Sequence, residues 1–388
     1  MPFPRSIAAI LALPALVLAC SPASGRPAAA SPPPAPAAPS TAVNQLPSCG
    51  EGSALLASMS TRDKLAQLLM VGVTGAADAR AVVANQHVGG IFIGSWTDLS
   101  MLTDGSLPDI AGSAGPLALA VSVDEEGGRV SRLSSLIGSS PSARVLAQTQ
   151  TPDQVYQLAL DRGRRMRNLG ITIDLAPVVD VTDAPADTVI GDRSFSADPA
   201  MVTTYAGAYA HGLRDAGLLP VLKHFPGHGR GSGDSHAGGV VTPPLADLQD
   251  VDLVPYRTLV TQAPVGVMIG HLQVPGLTGS DPASLSPDAV GLLRNGTGYG
   301  GPPFDGPVFT DDLSSMKAIS DRLGVAEAVL EALQAGADTA LWVTTTEVPA
   351  VLDRLESAVA GGELSMTNVD ASVLRMAAAK GPNPRCGR

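Results

Sequence analysis

Pro220-Val221-Leu222-Lys223-His224-Phe225-Pro226-Gly227-His228-Gly229 runs a short apolar segment into a polar loop, and Arg230-Gly231-Ser232-Gly233-Asp234-Ser235-His236 continues it. The pattern is that of a β-strand delivering side chains into an irregular, glycine-rich connection. Three of the chain's six histidines fall between 223 and 236, beside a lysine, an aspartate and four glycines. Lys223 and His224 stand where the strand ends and the backbone is held, whereas Asp234 and His236 are spaced i, i+2 on a loop that can fold over them. An Asp next to a His fixes the imidazole tautomer, raises its pKa and readies the ring to pass a proton. For any single histidine a surface turn is the plainer reading; their clustering makes the segment a candidate site.

Outward from this strand, apolar runs alternate with helical patterns, as in a parallel sheet with crossover helices. Eight strands are predicted, at 66–73, 88–93, 117–123, 172–179, 221–224, 265–270, 308–310 and 339–343. Most are continuous Val/Ile/Leu runs, as expected of strands covered on both faces. Thr151-Pro152-Asp153-Gln154 reads as an N-cap, a proline at the first helical position and a capping-box Gln, with Gly170 as the stop. Asp198-Pro199 opens a helix stopped at Gly217, Ser286-Pro287-Asp288 one stopped at Gly296, and a further helix spans 325–334 before Gly336. Closing helices are expected at 352–360 and 369–380. Eight strands with intervening helices fit a (β/α)₈ TIM-type barrel, whose active site lies at the C-terminal ends of the strands. The alternative, an open doubly wound sheet, is weakened because no G-x-G-x-x-G follows the first strand.

The predicted strand ends carry chemistry. Strand three runs into Asp124-Glu125-Glu126-Gly127-Gly128-Arg129-Val130-Ser131-Arg132, strand four into Asp180, strand five into Lys223-His224, strand six into His271 and strand seven into Asp311-Asp312. Asp192-Arg193-Ser194-Phe195 lies in the long loop after strand four. Any one of these carboxylates could cap the following helix, Asp124 and Asp312 in particular. So many charged groups at one rim exceed what capping requires.

K-H-F-P-G-H-G followed by D-S-H resembles the signature of glycoside hydrolase family 3, in its β-N-acetylhexosaminidase branch. The resemblance covers essentially the whole folded region and implies roles residue by residue. Asp124 and Arg132 correspond to the sugar-hydroxyl clamp, extended by Arg193, Lys223 and His224. Asp234 and His236 correspond to an acid/base dyad in which His replaces the usual carboxylic acid. Phe309-Thr310-Asp311-Asp312-Leu313 is similar to the nucleophile segment, and the family pattern places the nucleophile at Asp311, although spacing alone does not separate Asp311 from Asp312. The C-terminal sandwich domain of larger members is absent. The residue types suit the chemistry. A glycosidic acetal leaves through an oxocarbenium-like state, which needs a carboxylate on one face and a proton donor at the leaving oxygen. No metal or other cofactor is assigned, because the reaction needs none and the histidines lack Cys or Glu at ligand spacing.

A formal charge of −11 argues against nucleic acid or an anionic membrane surface as electrostatic partners. Residues 1–19 read as an export signal, with Arg5 before an apolar run of h-region length. Val17-Leu18-Ala19-Cys20 resembles a bacterial lipobox, with Cys20 as the lipidated residue. The segment 20–47, dominated by Ala, Pro and Ser, is a tether without a core-forming pattern, and 48–388 is the catalytic domain. Cys49 and Cys386 then remain as a pair for a disulfide in an exported protein, with two free thiols as the alternative.

The resulting expectation is an exported, lipid-anchored, monomeric exo-β-N-acetylglucosaminidase of the outer face of the cell membrane. It would retain configuration and act on cell-wall fragments. A phosphorylase using the same intermediate and an inactive glycan-binding lipoprotein are the alternatives.

Overall fold

The computed structural model describes residues 52–381. The signal 1–19, the tether 20–47, Cys20, Cys49 and Cys386 lie outside the described residues. Eight parallel strands close a barrel in chain order. They are β1 (Leu69–Val73), β2 (Gly90–Ile93), β3 (Ala120–Val123), β4 (Ile173–Asp174), β5 (Leu219–Phe225), β6 (Gly266–Ile269), β7 (Val308–Asp312) and β8 (Thr339–Trp342). Closure is made by β8 on β1, with Ala340 opposite Leu69.

Strand ends differ from expectation by up to three residues elsewhere, β3 beginning at Ala120 rather than 117, β5 spanning Leu219–Phe225 rather than 221–224 and β7 ending at Asp312 rather than 310; for β1 and β4 the reason is identifiable. The first was expected from residue 66, but Thr61–Ala66 is helical, started by a reciprocal capping box between Ser60 and Asp63, and β1 begins only at Leu69. The fourth was expected over 172–179, yet regular pairing stops at Asp174. Pro177 has no N–H for the ladder, and beyond it the chain keeps a single bridge, Val178 to Lys223.

The helix signals hold. Thr151 caps Pro152–Asn168 by accepting from the Gln154 N–H while the Gln154 side chain accepts from Thr151. Asp198 caps Pro199–Asp215 by accepting from the Ala200 N–H. Two apolar layers result. One fills the space between strands and helices. The other packs Met70, Phe92, Ile173, Leu175, Val221, Met268, Phe309 and Leu341 inside the barrel, where Met376 of the last helix, Met366–Lys380, joins them. The barrel is therefore a packed core, and a ligand has room only above it, at the C-terminal rim.

Candidate active site

The floor of the rim cavity is made by Phe92, Leu175, Met268 and Leu341, the upper members of the inner core. Above them the cavity, of about 220 Å³, is lined by polar groups from successive strand ends.

Beyond Val123 the chain stays extended as Glu125–Gly127, paired antiparallel with Val130–Ser131. Side chains of an extended segment alternate between faces, so Asp124 and Glu126 point one way and Glu125 the other. Lys223 Nζ donates to Asp124 Oδ1 and to Glu126 Oε1, both at 2.6 Å. Arg193 donates to both Glu126 oxygens, Nε to Oε2 at 2.8 Å and Nη2 to Oε1 at 2.9 Å. Burial alone would raise the Glu126 carboxyl, but the adjacent Arg193 and Lys223 charges hold it below the ordinary range. Burial likewise opposes the charge on Lys223, and Asp124 with Glu126 overcomes it, so its pKa is raised. Arg132 also lines the cavity, and its buried Nε has no hydrogen-bond partner among the described residues.

Glu125 has an opposite, structural use. It accepts from Arg162 at 2.5 Å, from the Ser131 hydroxyl, and from the N–H groups of Arg132 and Leu133 at 2.8 Å each. The hairpin that carries half of the clamp is thereby fastened to the helix Pro152–Asn168.

His224 follows Lys223 through a cis peptide bond. Its Nδ1 donates to Asp180 Oδ2 at 2.7 Å, while Asp180 Oδ1 accepts the His228 N–H at 2.7 Å. That leaves the other His224 nitrogen toward Arg193, 3.5 Å away, and the cavity. Burial would raise Asp180; the His224 ring beside it holds its carboxyl low.

At the end of β7 two adjacent aspartates separate. Asp312 Oδ1 accepts from the Ser314 N–H and hydroxyl at 2.8 Å each, and Oδ2 accepts from the Ser315 N–H at 3.2 Å and the Ser315 hydroxyl. It is fully engaged in turning the chain. Asp311 takes one bond, from the Asp312 N–H to Oδ1 at 2.9 Å, and lines the cavity. Burial would raise it, but the His224 ring, the bond from the Asp312 N–H and the Lys223 charge hold its carboxyl below the ordinary range. His271 donates through Nε2 to the Asp312 carbonyl and accepts at Nδ1 from Ser284, both at 2.7 Å. Burial lowers the pKa of the ring, which favours its neutral form.

The loop after β5 carries Asp234 and His236 to the mouth. His236 Nδ1 donates to Asp234 Oδ1 at 2.7 Å, and the His236 N–H donates to the same oxygen at 2.9 Å. Burial would raise Asp234; these two bonds hold it low. With Nδ1 protonated, Nε2 is the atom that can exchange a proton with a ligand. Ser235 between them is buried, and its carbonyl accepts from the Ala318 N–H at 3.1 Å, which pins the loop over the β7 connection. Two glycines at the root of this loop stand where a side chain would collide. Gly227 sits at φ 135° with Asp252 2.4 Å from where a Cβ would be, and a Cβ at Gly229 would lie 2.3 Å from the Val181 carbonyl. Both permit close packing of the loop's root.

All the expected site residues of the described region, Asp124, Arg132, Arg193, Lys223, His224, Asp234, His236 and Asp311, therefore line or adjoin one cavity. Glu126, Asp180 and His228 were read at the strand ends or in the loop without an assigned role, and Trp96 was not anticipated. For Glu126 the period-2 alternation with Asp124 was a usable signal; Trp96 lies in a short loop whose only mark was an aromatic in an aromatic-poor chain. The arrangement can hold a hydroxyl-rich ring by charged donors and acceptors, present a carboxylate from below and offer a proton at the mouth.

Residues 60–379 match the glycosyl hydrolase family 3 N-terminal domain. Over the full length of both chains, 71% of residues are identical to the β-hexosaminidase LpqI of Mycobacterium tuberculosis. The solved structure of M. tuberculosis LpqI superposes with a TM-score of 0.86 at 74% identity, covering 88% of this chain and 100% of that one. A family 3 β-N-acetylglucosaminidase from Paenibacillus superposes with a TM-score of 0.77 at 33% identity, over 83% of this chain and 62% of that chain.

Proposed function

The chain belongs to glycosyl hydrolase family 3 and is a glycosidase of the β-hexosaminidase type, and from that premise we propose that it removes terminal β-linked GlcNAc with retention, Asp311 acting as nucleophile and His236 as acid and base. The observation that carries the reading is the division of labour at β7: both aspartates line the cavity, but the oxygens of Asp312 are taken up by Ser314 and Ser315, whereas Asp311 is held low in pKa and has an oxygen without a hydrogen-bond donor among the described residues.

In the first step an Asp311 oxygen attacks the anomeric carbon. The bond from that carbon to the leaving oxygen breaks, and the oxygen takes the proton from His236 Nε2. Asp234 holds Nδ1–H and stabilises the imidazolium before transfer. The Lys223, Arg193, Asp124 and Glu126 array fixes ring hydroxyls, with Arg132 lining the same cavity. In the second step neutral His236 accepts a proton from water, whose oxygen displaces Asp311.

The substrate we assign is a GlcNAc-capped cell-wall fragment, on the strength of the export signal and the Val17-Leu18-Ala19-Cys20 lipobox, which would place the enzyme beside that polymer.

Asp311→Asn should stop turnover of every substrate. Asp312→Asn, which keeps one acceptor for the turn, should retain most of it. His236→Ala should still cleave a nitrophenyl glycoside, whose leaving group needs no proton, while a sugar leaving group slows by about 10²- to 10⁴-fold. Added azide should speed the variant and yield a β-glycosyl azide. Equal losses on aryl and sugar substrates, with no azide effect, would remove His236 from the acid/base role.

A further inference from the structure

We propose that Trp96 is the platform on which the leaving-group sugar stacks, making it a specificity-determining residue for the aglycone; the inference rests on the glycosidase reading above. The cavity of about 220 Å³ is smaller than the roughly 300–1,000 Å³ of pockets that enclose drug-sized ligands. One sugar ring fills it, and the remainder of the substrate must lie across its mouth.

Trp96 stands at that mouth. It lines the cavity and is 45% exposed, whereas Phe92, Met268 and Leu341 beneath it are buried. His236, the exposed proton donor, lines the same opening. The leaving oxygen must reach that donor, so the ring attached to it passes over the rim the two residues share.

The indole is held in place. In the turn 94–97, the Thr97 hydroxyl donates to the Val73 carbonyl at the end of β1 (2.6 Å) and accepts the Gly94 N–H (3.0 Å). Gly94 lies directly under the ring, since a Cβ there would come 2.4 Å from indole Cη2. Phe92 packs beside it, with 6.0 Å between centroids and 56° between planes. Backbone and Phe92 support the indole while much of its surface stays open to solvent. A rigid, exposed aromatic face next to a polar pocket offers the C–H face of a pyranose apolar contact without ordering a mobile side chain.

The test compares the wild type with Trp96→Ala and Trp96→Phe on two donors: a β-1,4-linked GlcNAc disaccharide, and N-acetylglucosaminyl fluoride, which has no aglycone ring. For Trp96→Ala the ratio of kcat/KM on the disaccharide to that on the fluoride should fall about two- to tenfold, the worth of one aromatic contact. Trp96→Phe should recover part of it. An unchanged ratio, whether both donors slow equally or neither does, overturns the proposal, because Trp96 then touches the cleaved sugar or nothing.

A binding readout is independent of chemistry. The chain has two tryptophans, and Trp342 is fully buried, so an emission shift reports Trp96. An uncleavable S-linked disaccharide should shift it more than free GlcNAc; equal shifts contradict stacking of the second ring. A wild type that cleaves neither donor would instead sink the glycosidase reading, a separate outcome.

Discussion

Asp174 ends β4, buried on the face opposite Ile173 and Leu175, with Oδ1 accepting the Glu125 N–H at 3.0 Å and Oδ2 without a partner among the described residues. Burial pushes its carboxyl well above the ordinary range, against the bond from Glu125. The sign of the consequence follows from linkage. Between the unfolded value, about 3.9, and the raised folded one, the unfolded chain gives up a proton that the folded protein keeps, so stability contributed below that window is lost as pH rises through it. Asp174→Asn keeps the shape and the acceptor and has no proton to lose. Denaturant melts from pH 4 to 7 should show a shallower decline for the variant than for the wild type, with the variant more stable at pH 7. Parallel curves would mean that the folded carboxyl titrates normally.

At the scale of elements, the hairpin after β3 shows how a strand extension is fixed at the rim of the candidate site. Glu125 ties it to Arg162 of the helix Pro152–Asn168, and the Tyr209 hydroxyl of the helix Pro199–Asp215 donates to the Glu125 carbonyl at 3.0 Å. Glu125→Ala leaves Arg162 buried without its counter-charge, which should cost about 3 to 5 kcal/mol. Activity should fall with it, since Asp124, Glu126 and Arg132 ride on the hairpin. Glu125→Gln keeps an acceptor for the N–H groups and should cost less. Chemical denaturation checks the order, and an Ala variant as stable as the wild type would refute the ionic tie. The strands were legible because their Val/Ile/Leu runs are continuous. β4 was read too long because Pro177 interrupts the ladder inside an apolar run, and the start of β1 was misplaced because the Ser60 capping box carries a short helix up to Ala66.

At the scale of the molecule, the helix Thr61–Ala66 near the start of the described chain packs against the last helix, Met366–Lys380. Lys64 pairs with Asp370 at 2.9 Å, and Lys380 Nζ donates to Gln67 Oε1 at 3.0 Å. This supports, as a proposal, a disulfide between Cys49 and Cys386, which flank those helices in sequence. Protein isolated from an oxidising compartment should then titrate no thiol at these positions when denatured, and reduction should lower its Tm, a native cross-link contributing about 2 to 4 kcal/mol. Two free thiols would end the idea. The proposed anchor is separable in the same way. Cys20→Ser should move the protein from membranes to the soluble fraction with turnover unchanged, and a soluble but inactive product would contradict the independence of tether and barrel.

The amino-acid sequence by itself determined the barrel, the rim on which chemistry sits and most of the residues there, because continuous apolar strands, capping signals and a clustered K-H-F-P-G-H-G loop are local properties of the chain. Tertiary structure decided what depends on partners far apart in sequence. Asp311 and Asp312 are equivalent in spacing and both line the cavity, but Ser314 and Ser315, folded back onto Asp312, occupy both of its oxygens, whereas Asp311 accepts one bond, from the Asp312 N–H. Glu125 and Glu126 are likewise adjacent and alike; Arg162 on one face and Arg193 with Lys223 on the other assign one to the scaffold and one to the site. A carboxylate's role is set by the charge and hydrogen-bond donors that reach it, and folding brings those to it across the barrel.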